Sequence, residues 1–171
     1  MIKDNILKAL NEQINKEFFS AYLYLSMSAY AESIGLKGFA QWLKVQYQEE
    51  LDHAMKFYNY VIERGGKIEL EAIDKPKNEW SSILEVFEDG YKHEQFISES
   101  INNIMDLAVS EKDYATINML QWFIDEQVEE ESSFLEIVDK LKLLDGDRRG
   151  LFMIDKDLGQ RVYIPLIAQN Q

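Results

Sequence analysis

Four long stretches of the chain repeat apolar residues in steps of three and four, the spacing that places side chains on one face of an α-helix. Helix one, over about 4–33, carries Leu7, Leu10, Ile14, Glu17, Ala21 and Tyr24 on that stripe. Helix two, about 39–64, gives Phe39, Leu43, Gln46, Glu50, His53, Phe57 and Tyr60. Helix three, about 82–110, gives Ile83, Phe87, Gly90, Glu94, Ile97, Ile101, Ile104 and Ala108. Helix four, about 113–144, gives Leu120, Phe123, Gln127, Glu130, Phe134, Ile137, Leu141 and Leu144. The chain has only 2 prolines and 8 glycines, and all but Gly90 fall outside the four stripes. Gly35 and Gly38 divide the first helix from the second, Gly65-Gly66 ends the second, and Asp145-Gly146 stops the fourth. Ser81 or Ser82 offers an N-cap to helix three, with Glu85 three residues after Ser82 as its capping-box partner. A short tail helix is expected over about 148–158.

Short turns join helices one to two and three to four, so each pair should run antiparallel. The middle connection, residues 65–80, holds Pro76 and no helical stripe. At about 3.3 Å per residue it can span about 53 Å, whereas a helix of about 26 residues is about 39 Å long. It can therefore travel the length of the bundle and leave helices two and three parallel. The expected fold is all-α: one domain over 1–171, a four-helix bundle with one long crossover and a short fifth helix.

Each stripe is interrupted near its middle, mainly by a carboxylate: Glu17, Glu50, Glu94 and Glu130. A buried carboxylate costs several kcal/mol unless paired, and no Lys or Arg shares these stripes. Four such groups must repel one another or retain protons. Multivalent cations resolve the conflict most simply. Oxygen donors plus one imidazole, His53, suit iron or manganese, and a shared carboxylate would hold two ions about 3.5–4 Å apart. A lone mid-stripe Glu has a plain alternative as an exposed edge residue, and E-x-x-H alone is a weak motif. Four carboxylates at one level, with Glu50 and His53 on one face, are the strong signal.

Composition narrows the setting. With 18 Lys and Arg against 31 Asp and Glu the net charge is −13, which argues against nucleic acid and against an anionic membrane surface. No cysteine is present, so thiolate zinc sites, iron–sulfur clusters and disulfides are excluded. No apolar run approaches the roughly 18 residues of a spanning helix, and the N-terminus shows no secretory pattern, so a cytoplasmic location is expected.

The segments LNEQINKEFFSAYLYLSMSAY, QEELDHAMKFYNYV and FIDEQVEEE make the chain resemble the non-haem bacterial and archaeal ferritins over essentially its whole length. The general pattern carries E-x-x-H on two helices. Here it occurs once, and helix four has Gln127-x-x-Glu130, as ferritins have where bacterioferritins keep the second copy. Leu51 stands where bacterioferritins place a haem-ligating Met, so no haem is expected. The resemblance implies Fe(II) as substrate, with O2 or H2O2 as oxidant, and a homo-oligomeric shell of 24 subunits holding a ferric oxyhydroxide mineral. It implies that Glu17, Glu50 and His53 hold a first iron. Glu50 would bridge to a second, completed by Glu94 and Glu130, with Gln127 hydrogen-bonding a ligand oxygen. Glu49, Glu126, Glu129 and Glu130 match a third iron site; the plainer alternative for the first three is a solvated acidic face. Tyr24 could donate an electron or a hydrogen bond to the centre, or be an amphipathic core residue. Trp122 is expected to pack against a neighbour, His93 to lie at the surface, and Trp42, Tyr30 and Tyr58 are candidate subunit contacts. Ile117 and Leu120 occupy positions that are acidic in the three-fold pores of animal ferritins, so the same acidic funnel is not expected. Two rival readings remain: a di-metal oxidase or catalase that stores nothing, and a purely structural bundle.

Overall fold

The computed structural model describes residues 2–166. Five helices follow one another: α1 (Asp4–Ser33), α2 (Lys37–Glu63), α3 (Ile83–Ser110), α4 (Tyr114–Leu143) and α5 (Arg148–Leu158). The breakers act as their chemistry predicts. Gly35, Gly65 and Gly146 take the positive φ that closes a helix end. The Ser82 hydroxyl accepts from the Glu85 amide at 3.1 Å. The return bond of the capping box lands one residue early, because Glu85 Oε2 accepts from the Ser81 amide and hydroxyl, both at 2.6 Å.

Side-chain pairs fix the helix directions. Along α1 and α3 the pairs Gln13–Ser100 and Ser20–His93 run in opposite order, and along α2 and α4 so do Gln46–Glu130, His53–Glu126 and Tyr60–Thr116. The crossover climbs α1: the Asn11 amide donates to the Lys67 carbonyl at 3.0 Å, that of Asn15 to Ala72 at 3.2 Å, and the Ser26 hydroxyl to Lys77 at 2.7 Å. Residues 65–80 thus traverse the bundle lengthwise, and α2 lies parallel to α3.

The core divides in two. One half gathers Met27, Phe39, Trp42, Leu43, Phe87 and Phe134; the other gathers Ile6, Leu10, Ile14, Phe57, Ile97 and Phe123. Trp42 belongs to the first half, only 6% exposed and edge-on to Phe134 at 4.9 Å. That corrects its expected place at a subunit contact: its indole finds enough apolar surface inside its own bundle. Between the halves lies a buried polar layer of Gln13, Glu17, Gln46, Glu50, His53, Glu94, Gln127 and Glu130. Asp155 of α5 accepts from the Gly38 and Phe39 amides at 2.8 and 3.0 Å. It caps α2, whose own N-cap residue, Leu36, makes no side-chain cap bond. A Cβ at Gly38 would lie 1.5 Å from the Asp155 carbonyl oxygen, so this approach requires glycine.

Candidate metal centre

Helical spacing places Glu50 and His53 three residues apart on the same face of α2. Glu17 comes from α1, Glu94 from α3 and Glu130 from α4, and every one of these five side chains is buried. Glu17, Glu50 and His53 bring one potential ligand atom each within 4.8 Å of one another, as do His53, Glu126 and Glu130. His53 belongs to both groups, with Nδ1 3.4 Å from Glu50 and Nε2 3.8 Å from Glu126.

Burial pushes the carboxyls upward. Glu50 is held well above the ordinary carboxylate range, by burial first and then by the charges of Glu94, Glu17 and Glu130. Burial raises Glu130 to about 8, with Glu94 adding repulsion, and raises Glu94 to about 7. Glu17 also rises, with burial opposed by His53 and by a hydrogen bond from Gln13.

Neutral donors temper this cost. Gln13 Nε2 donates to Glu17 at 2.8 Å, Gln46 Nε2 to Glu130, and Gln127 Nε2 to Glu94 at 3.0 Å, while the Tyr24 hydroxyl donates to the other Glu94 oxygen. Two of the amides are oriented from outside the layer. Lys16 donates to Ser100 at 2.7 Å and Ser100 to Gln13 Oε1 at 2.6 Å, turning the Gln13 NH2 toward Glu17. Arg161 does the same for Gln46 at 2.7 Å. Glu17 Oε2 alone is left: among the described residues it is the one buried side-chain polar atom without a hydrogen-bond partner. A buried, unpartnered carboxylate oxygen facing a second carboxylate and an imidazole fits a hard divalent cation.

Not every expected residue enters a metal-sized group. Glu94 shares the layer electrostatically with Glu50 and Glu130 but lies outside both groups, both its oxygens being engaged. Glu49 is turned to Arg161, and Glu129 is exposed. Gln127 bonds Glu94 directly. His93 is half-buried and not freely exposed: it lies among Phe19, Tyr24 and Phe96, its Nε2 2.7 Å from the Ser20 hydroxyl, and burial lowers it to about 4. Trp122 packs edge-on against His53 at 5.5 Å, under Lys56.

The sequence model of the Ferritin-like domain matches residues 7–144. The chain belongs to the ferritin family. A probable bacterial non-heme ferritin-like protein of Haemophilus influenzae is 45% identical over 159 residues, covering 93% of this chain and 96% of its own length. A bacterial non-heme ferritin of Staphylococcus aureus is 42% identical over 163 residues, covering 95% and 98%. Among solved structures, the open-pore ferritin of the hyperthermophilic archaeon Archaeoglobus fulgidus superposes with a TM-score of 0.94 at 51% identity, covering 95% of this chain and 100% of that one. The four-helix bundle with a short C-terminal helix is thus a ferritin fold. Within this ferritin, sequence reasoning passed over Gln13 and Gln46 as donors and missed Arg161 altogether. Gln46 stood on its helix stripe and could have been noticed; Arg161 lies beyond the fifth helix, where no periodic pattern reaches.

Proposed function

We propose that the buried layer is a ferroxidase centre and that the chain stores iron as a ferric oxyhydroxide inside a hollow cytoplasmic shell of 24 copies. One observation carries this: Glu17, Glu50 and His53 converge within 4.8 Å in a buried layer where Glu17 Oε2 has no protein partner. Fe(II) is the substrate. Glu17, Glu50 and His53 hold the first ion, Glu50 reaches the second, and Glu94 and Glu130 complete it as Tyr24, Gln127 and Gln46 release their hydrogen bonds. Glu49, Glu126 and Glu129 serve a third ion beside Glu130. Carboxylate donors stabilise Fe(III) over Fe(II), which favours oxidation. Two Fe(II) give up one electron each; O2 takes the pair with two protons and becomes H2O2, or H2O2 takes the pair with two protons and becomes two waters. The raised carboxyls yield protons as cations enter. Hydrolysis of Fe(III) then releases further protons and deposits the mineral.

Apolar side chains exposed on the single chain, among them Leu70, Leu143 and Phe152, favour a shell whose neighbours cover them. Native mass measurement before and after aerobic iron loading tests the whole reading. A particle of about 480 kDa is expected, gaining hundreds of irons while remaining in solution. Uptake that stops at two or three irons per chain would point instead to a non-storing oxidase, and undiminished rapid oxidation in Glu50→Ala and His53→Ala would remove the centre from the layer.

A further inference from the structure

After α5 the chain does not leave the bundle. Residues 159–166 turn back along α2: Gln41 Nε2 donates to the Arg161 carbonyl at 3.2 Å, and Asp52 accepts from the Tyr163 hydroxyl at 2.7 Å and the Leu166 amide at 3.1 Å. Between those anchors the Arg161 side chain enters the rim of the metal centre. Its guanidinium lies 4.4 Å from the centre of the Trp42 ring, donates to Gln46 Oε1 at 2.7 Å and pairs with Glu49 Oε2 at 2.5 Å. Arg161 and Glu49 are each only about a quarter exposed there, at 26% and 24%. Stacked, forked and half-buried, this is a built contact and not a loose surface ion pair.

Its position matters because Glu49 is one of the carboxylates assigned above to a third iron. His53, Glu126 and Glu130 present ligand atoms to a common point, and Glu49 is absent from that group. The chain thus supplies its own cation to a carboxylate that the third substrate ion needs. The same guanidinium fixes the Gln46 amide so that its NH2 faces Glu130.

We propose that Arg161 is a tethered competitor for the third cation position: an Fe(II) ion takes Glu49 only by displacing the guanidinium, and that displacement loosens the 159–166 strap from α2. The guanidinium occupies Glu49 Oε2 itself, so an ion that takes this oxygen must dislodge it, and occupancy of the third position opposes seating of the strap. The inference rests on the ferroxidase reading of the layer and adds to it an internal gate on the outermost ion.

Anaerobic calorimetric titration of the assembled protein with Fe(II) tests it, alongside Arg161→Ala, Arg161→Lys, Glu49→Gln and the Arg161→Ala/Glu49→Gln double variant. Removing a partly buried competing charge should tighten the third Fe(II) about tenfold in Arg161→Ala. Arg161→Lys, which keeps charge but cannot fork to Glu49 and Gln46 together, should fall between. With Gln at position 49 the residue at 161 should no longer affect that ion. Hydrogen exchange supplies a readout independent of turnover: amides 160–166 should exchange faster at three Fe(II) per chain than at two. Unchanged or weaker third-ion binding in Arg161→Ala, or exchange in the strap indifferent to the third equivalent, overturns the proposal. A third ion absent from both wild type and Arg161→Ala overturns it too. Failure of the underlying reading looks different, since Glu50→Ala and wild type would then titrate alike from the first equivalent.

Discussion

Phe57 and Phe123 stack with ring centres 3.9 Å apart. One turn earlier on α2, His53 sits among carboxylates whose protons are held up to about pH 7 and 8. The two levels use the same helices and the same three-and-four spacing. In the apolar halves each side chain gains by leaving water, and close packing turns that gain into stability. In the polar layer each carboxyl loses hydration and recovers only part of it from Gln13, Gln46, Gln127 and Tyr24. The apolar halves therefore hold the fold, and they hold the layer in an arrangement it would not choose unaided.

Substitution should pull the two levels in opposite directions. The largest effect is expected from Phe123→Ala, which should cost about 3–5 kcal/mol in chemical denaturation through loss of the stacked pair and the cavity left behind. Glu50→Gln keeps the shape and removes the charge. It should slow aerobic Fe(II) oxidation about a hundredfold, or about 2.7 kcal/mol, while raising the melting temperature of the metal-free protein at pH 8. A fall in that melting temperature would mean the layer is stabilising, and the contrast drawn above would collapse. Gly90→Ala probes the boundary, since its Cβ would lie 2.3 Å from Phe134 Cε1; overpacking should cost about 1–3 kcal/mol on the same denaturation curve. The dependence on pH sharpens the same contrast without any substitution. Unfolded carboxyls titrate near 4.5, whereas Glu94 and Glu130 do so near 7 and 8 in the fold. Between those limits the folded chain holds protons that the unfolded chain has released, so stability falls as pH rises, and the contribution of these two groups levels off above about 8. The metal-free protein should therefore melt several degrees lower at pH 8 than at pH 5. Glu94→Gln with Glu130→Gln should flatten that slope, and bound divalent metal should reverse it, because metal displaces the protons.

Much of this was legible along the chain. The bounds of α1, α4 and α5 agree with the stripes to within a residue, because Gly35, Asp113 and Asp145-Gly146 stop or cap a helix by local chemistry. Every member of the helix-three stripe is buried, including Glu94 and Gly90. Glu17, Glu50, His53 and Glu130 shared a level because helical rise is fixed and the turns between paired helices are short. What failed to show was whatever depended on a partner far away in sequence. His93 looked exposed from its own helix, and Phe19 and Tyr24 of α1 partly cover it. Glu49 looked available, and a residue 112 positions later occupies it.

The sequence by itself determined the helices, the crossover and the ring of buried carboxylates, since each follows from local period, chain length or the identity of a breaker. Only the tertiary structure decided which carboxylate oxygens already have partners. Glu17 Oε2 is left without one, Glu94 is held at both oxygens, and Glu49 is bound by Arg161. Hydrogen bonds reach only about 3 Å and depend on direction, so donors from different helices and from the tail find their acceptors only once packing has brought them together.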